Sequence, residues 1–511
     1  MNRCPSYIAR RMPPMPAAAR RRRNLRVHSL PFQPVRGVAH LPHDAVDANP
    51  QGIPQREDGE SPAGGTDEAS ALAYPSGPLP TLTDDPSTRP TLRIRPPEGS
   101  THFDLSLANK LPWIYSNEVQ NFEELRPLSP CIVNIFDSEG TGHGVGTYTI
   151  HSLIAGRVVS DNAYMPVDRA FLAGKIRRAM EMRRHLPLGR DRRAIQRDDH
   201  GPVFCRLVNG EGDDLPGLVI DRYGSICVVQ HLTGGMERLR ECIVGALVDV
   251  MGGDLTAVIH RNDSIRRRQE RLALWKDMPY QKDGSSVSDV CETTVTIPEA
   301  GCSFQVDLMD SPSTGWFFDR RPVREEVAQL AKGKTVLDLF SYVGAFGVTA
   351  AARGEASKVT CVDSHAPYLQ RGEWAAQSAS VADRVLFQRA NAFKYLQDAI
   401  DQRLQWDIVI ADPPNWTPLI HQTALDRGEQ LFFRLFNLAA KCVAPDGYLV
   451  ALVSSRAFQY RHLMQILTEA IYQSDRKGVL VWEGQVSPDH PIHIGLPRSK
   501  ELHTIIFRLT Q

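Results

Sequence analysis

No run of eighteen apolar residues occurs in this 511-residue chain, so no stretch is long and apolar enough to cross a bilayer as a helix. None of its nine cysteines forms a Cys-x-x-Cys pair. That spacing suits neither a zinc site nor a small disulfide framework, so reduced, mostly buried thiols and no metal site are expected. Acid is missing from the amino terminus: nine arginines, Arg20–Arg23 among them, precede the first carboxylate, Asp44. An arginine-rich, acid-free stretch mixed with Ala, Ser and Pro predicts an organelle transit peptide over 1–43, mitochondrial in destination. The alternatives are a basic arm that touches RNA, or a cytoplasmic protein whose start includes upstream sequence.

Length and 42% hydrophobic content predict a globular chain of about three domains. Residues 44–90 hold "QREDGESPAGGTDEAS" and few aliphatics, and read as a disordered linker. Short alternating runs over 91–164 ("TLRIR", "CIVNIF", "GVGTYT") predict a small β domain. Over 165–298 a helix at 167–185, a hairpin turning at Tyr223-Gly224, a helix at 236–251 and a strand "TAVIHRN" predict a central α+β domain. From 299 to 511 strands and helices alternate: "KTVLDLF", "KVTCVD", "RVLFQRAN", "WDIVIADPP" and "GYLVALVSS" are the strands. That pattern predicts an α/β fold, a doubly wound parallel sheet, with "VLVWEGQ" and "LHTIIFRL" as an antiparallel pair on one edge.

In such a sheet ligands bind at the carboxyl ends of the strands, so the polar residues there carry the function. The first strand runs into "DLFSYVGAFG", from Asp338 through Phe340, Tyr342 and Gly344. This is not Gly-x-Gly-x-x-Gly, and an acid at the loop's start repels phosphate. It suits a cationic nucleoside, S-adenosyl-L-methionine, with its ammonium and sulfonium groups. Asp363 ends the second strand, where a carboxylate accepts ribose hydroxyls. Asn391 ends the third, in reach of an adenine edge. The fourth ends Asp412-Pro413-Pro414: two prolines remove two N–H groups and stiffen the exit, leaving Asp412 and the Pro413 carbonyl to grip a planar base beside the methyl donor.

Several motifs carry a resemblance that runs from about residue 91 to the end. They include "LPWIYSNEV" (111–119), "DDLPGLVIDRYG" (213–224), "TGWFFDRRPVR" (314–324), "VLDLFSYVGAFG" (336–347), "ADPPNW" (411–416) and "DHPIHIGLP" (489–497). The chain resembles bacterial ribosomal-RNA methyltransferases that join a PUA domain, a central α+β domain and a class I methyltransferase domain; their type member makes 5-methylcytosine. The resemblance implies a PUA-like domain over 91–164, a methyltransferase domain over 299–511 and donor-site roles for Asp338, Gly344, Asp363, Asn391 and Asp412. It also implies that "TGWFFDRR" closes over the donor, with Phe318 and Arg321 as contacts.

One departure bears on the chemistry. Cytosine C5 is methylated only after a thiolate adds to C6. In the cytosine-methylating relatives that cysteine lies in a Ser-Cys-Ser triplet after the fifth strand, where this chain has Ser454-Ser455-Arg456. Cys361 and Cys442 lie elsewhere. The residues therefore argue against 5-methylcytosine and for a base nitrogen. The alternative is a ribosome-assembly or RNA-binding factor that keeps the fold without turnover; a small-molecule methyltransferase would leave the PUA-like part idle. Without the nine leading arginines, 50 basic residues face 59 acids, so RNA contact must come from local patches. The candidates are 175–197, with nine Lys/Arg, and 261–271, with five Arg.

Overall fold

The structure, a computed structural model, describes residues 77–82, 84–95, 111–188, 196–282, 293–416, 422–455, 458–496 and 501–510. All fall within one compact unit, Ser70–Gln511. The expected transit peptide (1–43) and most of the expected linker lie outside the described residues. Where the linker is described, it is docked rather than loose. Arg89 is buried and binds the Asp84 carboxylate, the Asn134 amide oxygen and the Ala163 carbonyl. The Leu79 N–H donates to Glu237 Oε1 at 2.9 Å. A linker composition thus ends in a segment held by the Arg89–Asp84 pair, by hydrogen bonds and by Leu82 packed on the central core.

The small β domain is a five-stranded sheet. Thr91–Arg93 lies at one edge, followed by Cys131–Phe136, Gly142–Tyr148, Ile154–Ser160 and Trp113–Tyr115. Leu92, Ile94, Ile114, Val133 and Ile135 form its core. A second five-stranded sheet follows, including the hairpin Leu218–Tyr223 and Ile226–His231, with Gly224 at φ +66° in the turn. Helices Arg169–His185 and Arg240–Met251 pack on it. The first starts at Asp168, whose side chain accepts the Phe171 N–H. The helix expected at 236–251 is two, Gly234–Arg238 and Arg240–Met251, broken at Leu239 (φ −93°, ψ 4°). A hairpin that periodicity did not reveal, Thr294–Glu299 with Cys302–Asp307, leads into the last domain.

That domain is a seven-stranded sheet. Its strands are β1 (Thr335–Leu339), β2 (Lys358–Asp363), β3 (Val385–Arg389), β4 (Trp406–Ala411), β5 (Val443–Ser454), β6 (Lys477–Gly484) and β7 (Leu502–Thr510). They stand in the order β3-β2-β1-β4-β5-β7-β6, with β7 antiparallel to both neighbours. Helices α1 (Arg321–Leu330), α2 (Ala345–Ala352), α3 (Ala366–Ser378), α4 (Ala392–Asp401), α5 (Gln422–Lys441) and α6 (Tyr460–Tyr472) cover the two faces. The order reverses between β1 and β4, which places a crevice at the carboxyl ends of those strands. One continuous core joins this sheet to the central one: Tyr223 and Val228 meet Trp316 and Phe318, which meet Val336 and Val359.

Several members of both basic runs are structural. Arg183 is fully buried against Asp213 and donates to the Arg206 and Asp489 carbonyls. Arg197 donates to the Arg184 and Leu186 carbonyls, and Lys175 pairs with Asp214 at 3.2 Å. In the second run Arg267 and Glu237 form a fully buried pair, Arg261 holds Asp263, and Arg266 holds Glu501. Arg177 and Arg178 remain exposed on the helix Arg169–His185. Six of the fourteen basic side chains expected to meet RNA, Lys175, Arg183, Arg197, Arg261, Arg266 and Arg267, are thus engaged within the fold, and Arg190, Arg192 and Arg193 lie outside the described residues.

Candidate active site

The loop after β1 organises the crevice. Phe340, Tyr342 and Gly344 all adopt left-handed backbone angles, at φ +58°, +53° and +71°. Two of the three carry side chains that disfavour this region, a strain that accumulates where backbone must be placed tightly. The result folds the loop back so that α2 starts beside Asp338. Gly344 begins α2, and a Cβ there would lie 2.9 Å from the Phe387 ring. At Gly347 a Cβ would lie 2.4 Å from Cys361 Sγ. Only glycine lets α2 approach β2 this closely.

Asp338 is 1% exposed. Its Oδ2 accepts the Gly347 N–H at 2.9 Å, while its Oδ1 has no hydrogen-bond partner among the described residues. Burial pushes its pKa up to about 8, against the Gly347 bond, and the Asp412 and Asp363 carboxylates raise it further. Three carboxylates at the ends of β1, β2 and β4 therefore lie close enough to feel one another. Asp363 accepts the Tyr342 N–H through Oδ2 and the His365 N–H through Oδ1, each at 2.9 Å. A carboxylate has about four acceptor positions, so both oxygens can still take a diol.

Asn391 is exposed at the start of α4 and caps it, its Oδ1 accepting the Phe393 and Lys394 N–H groups. Its amide oxygen is thus committed, and its NH2 is the group able to meet an adenine nitrogen. The chain leaves β4 through Asp412, buried Pro413 and exposed Pro414, then is pinned by Trp416. The Trp416 ring sits against Phe340, Phe393 and Phe432, with centroids 6.0, 5.8 and 4.9 Å away. Asp412 is not a bare acid: Arg320 Nε donates to its Oδ2 at 2.5 Å and Nη2 to its Oδ1 at 3.0 Å.

The strap Thr314–Arg321 corrects two expectations. Phe318 is 1% exposed and packs on the Tyr223 ring, in the interdomain core. Arg321 pairs with Glu299 and Asp489 and donates to the Phe204 carbonyl. Their neighbours meet the strand ends instead. Phe317 lies against the Tyr342 ring (6.0 Å) and under the Arg320 guanidinium (4.4 Å). The short 3₁₀ turn Phe318–Arg320 sets which side chains face inward. Trp316 is core, its Nε1 donating to Glu299 Oε2 at 3.1 Å.

No described cysteine stands where a nucleophile is needed. Ser455 is 1% exposed, with its N–H donating to the Glu501 carbonyl. Ser454 Oγ accepts Arg320 Nη2 at 3.1 Å. Burial pushes the Cys442 thiol up to about 12, and its Sγ faces the Leu396 carbonyl. Burial also raises the Cys361 thiol, which lies 4.0 Å from Asp338 Oδ2 behind α2. Neither is a thiolate at a strand end.

This donor set fits a cationic nucleoside. A buried carboxylate with one partnerless oxygen and two acidic neighbours is stabilised by an ammonium that donates hydrogen bonds, and a phosphate would be repelled.

Comparison with known proteins points the same way. Residues 271–471 match the family model described as S-adenosylmethionine-dependent methyltransferase, and residues 101–161 match the PUA-like domain model. The chain is 28% identical over 413 residues to ribosomal RNA large subunit methyltransferase I of Pseudoalteromonas translucida, covering 80% of this chain and 97% of the relative. It is 29% identical over 406 residues to the protein of that name from Shewanella frigidimarina, covering 79% and 96%. A SAM-dependent methyltransferase structure from Streptococcus mutans superposes with a TM-score of 0.65 at 19% identity, over 82% of this chain and all of that one. A second methyltransferase structure, in complex with SAH, gives 0.64 at 20% identity, over 79% and 97%. These two bear on the fold. The chain thus joins a PUA-like domain to an S-adenosylmethionine-dependent methyltransferase domain of class I fold, as its relatives do at 28–29% identity.

Proposed function

We propose that this chain methylates a base in ribosomal RNA of the large subunit, at an atom that needs no thiolate adduct. The observation that carries the reading is the placement of Asp338, Asp363 and Asp412 at the carboxyl ends of three adjacent strands, β1, β2 and β4, where no described thiol is available. S-Adenosylmethionine, when bound, supplies an electrophilic methyl group on a sulfonium. Asp338 would hold the donor's ammonium, Asp363 its ribose hydroxyls and Asn391 its adenine. The left-handed loop through Phe340, Tyr342 and Gly344 gives the backbone the close approach that such a nucleoside requires.

Asp412 and the Pro413 carbonyl would present acceptors to an exocyclic amine or ring nitrogen. A nitrogen lone pair attacks a methyl sulfonium by direct displacement, so Ser455 in the cysteine's place is no obstacle. The relatives' names and the PUA-like domain support RNA as substrate. The arginine-rich residues 1–43 support a mitochondrial destination, which a fluorescent-protein fusion of that segment tests.

The experiment is transfer of labelled methyl from S-adenosylmethionine to a large-subunit rRNA transcript, with nucleoside analysis of the product. A methylated base other than 5-methylcytosine is expected. A covalent adduct trapped on 5-fluorocytosine-containing RNA would contradict the adduct-free route.

A further inference from the structure

Arg320 has all five of its N–H donors engaged. Nε donates to Asp412 Oδ2 at 2.5 Å and Nη2 to Asp412 Oδ1 at 3.0 Å. Nη1 donates to both oxygens of Asp319, at 2.9 and 2.8 Å. The remaining Nη2 hydrogen goes to Ser454 Oγ at 3.1 Å. The flat face of the guanidinium lies on the Phe317 ring, 4.4 Å from its centroid. One buried side chain thus ties the strap to the ends of β4 and β5, the two strands that flank the acceptor side of the hollow.

The strap is fixed along its length. At its start Thr314 Oγ1 donates to Asp221 Oδ2 at 2.5 Å, on the central sheet. In its middle the Gly315 carbonyl accepts the Tyr342 hydroxyl at 2.9 Å, on the loop after β1. Just before Arg320 the Asp319 carbonyl accepts the Ser487 N–H at 3.2 Å. The central domain, the β1 loop and the acceptor edge are therefore connected through eight consecutive residues.

A buried ion pair adds little to stability over an apolar pair of the same volume, because desolvation offsets the attraction. Its geometric specificity is another matter: a planar fork fixes both the distance and the orientation of the carboxylate it grips. Arg320 grips the acid that precedes Pro413, at the rim where a base must dock.

We propose that Arg320 is a positioning residue for methyl transfer, locking the strap Thr314–Arg321 to Asp412 and Ser454 so that the acceptor base is held in register with the donor. The inference rests on the reading of the site as a methyltransferase centre. Asp412 touches the base; Arg320 acts through Asp412. Lysine keeps the charge but offers three hydrogens from one nitrogen and cannot form the fork.

The test is a double-mutant cycle on the full chain, with Arg320→Gln, Arg320→Lys, Asp412→Asn and Arg320→Gln/Asp412→Asn. Labelled methyl transfer to a large-subunit rRNA transcript gives kcat, and calorimetry gives the SAH Kd. Arg320→Gln and Arg320→Lys are each expected to lower kcat by about 100-fold, with SAH Kd within about threefold of the parent. The double variant is expected to fall within about threefold of its slower single, as for groups acting as one unit. Ser454→Ala keeps the core filled and serves if the arginine variants unfold; a kcat loss of roughly three- to tenfold at unchanged SAH Kd is expected.

Losses that multiply in the double variant, an SAH Kd that rises as steeply as kcat falls, or a Ser454→Ala variant indistinguishable from the parent would each overturn the proposal. A parent protein that transfers no methyl overturns the methyltransferase reading and this inference together. An active parent with a multiplicative cycle overturns the inference alone.

Discussion

Asp338 Oδ2 accepts the Gly347 N–H at 2.9 Å, while the other oxygen of the same buried carboxylate has no partner among the described residues. A half-satisfied carboxylate is unfavourable in an empty protein and favourable when a cation completes it. That asymmetry ties the stability of the fold to occupancy of the crevice.

The first prediction concerns pH. Asp338 titrates at about 8 in the fold against 3.8 ordinarily, because burial favours its neutral form. Its contribution to the ligand-free protein is fully present below about pH 4 and is lost as pH rises through about 8. Binding of the donor's ammonium has the opposite slope, since it needs the carboxylate. Melting curves of ligand-free Asp338→Asn from about pH 6 to about pH 9 should show less pH dependence than the parent. SAH affinity of the parent should strengthen over the same interval and that of Asp338→Asn should not.

Gly347→Ala is expected to destabilise by about 1–3 kcal/mol, because overpacking forces α2 away from β2. The added Cβ would meet Cys361 Sγ at 2.4 Å and Val359 Cγ1 at 2.9 Å. Denaturant unfolding measures the loss. SAH affinity should fall as well, since the N–H on Asp338 moves with the helix.

How much of this was legible in the sequence varied with distance along the chain. Aliphatic runs ending in Asp338, Asp363, Asn391 and Asp412 marked strands of one sheet, because alternation of strand and helix is a local signal. The antiparallel edge pair was legible for the same reason. Side-chain direction was not. Phe318 and Arg321 proved to be core and ion-pair residues, while Phe317 and Arg320 reach the strand ends, because a 3₁₀ turn sets their phase. An adjacent Arg-Arg pair opposite a carboxylate cluster was the signal for Arg320.

Which members of the basic runs would be buried was illegible for a related reason. Arg183 is answered by Asp213, thirty residues away in sequence, and by the Asp489 carbonyl, 306 residues away. A charge run shows the cation but not its distant counter-charge. Asn391 also proved double-edged, because a residue that ends a strand can begin the next helix.

That revision makes a separable prediction. Arg267→Ala leaves Glu237 buried without its partner and should destabilise by about 3–5 kcal/mol. Paired substitution of the exposed Arg177 and Arg178 should stay within about 0.5 kcal/mol per site. Denaturant melts distinguish the two, and filter binding to an rRNA transcript at several salt concentrations should show weakening in the Arg177/Arg178 pair. Folded Arg267→Ala protein should keep the parent's salt slope.

Phe318 and Phe317 separate fold from site. Phe318→Ala should cost about 3–5 kcal/mol by emptying the core shared by the two sheets. Phe317→Ala should cost nearer ~1 kcal/mol, through its contacts with Arg320 and Tyr342. Thermal melts rank the two losses, and methyl transfer should respond more to Phe317 once the folded fraction is accounted for.

Calorimetric titration of SAH into the parent and into Asp338→Ala tests most directly whether the strand-end acids hold a methyl donor. Saturable binding by the parent, and none by a folded Asp338→Ala protein, is the expected result. Undetectable heat in the parent at about 1 mM SAH, or equal affinity in the two proteins, would contradict the assignment of this crevice.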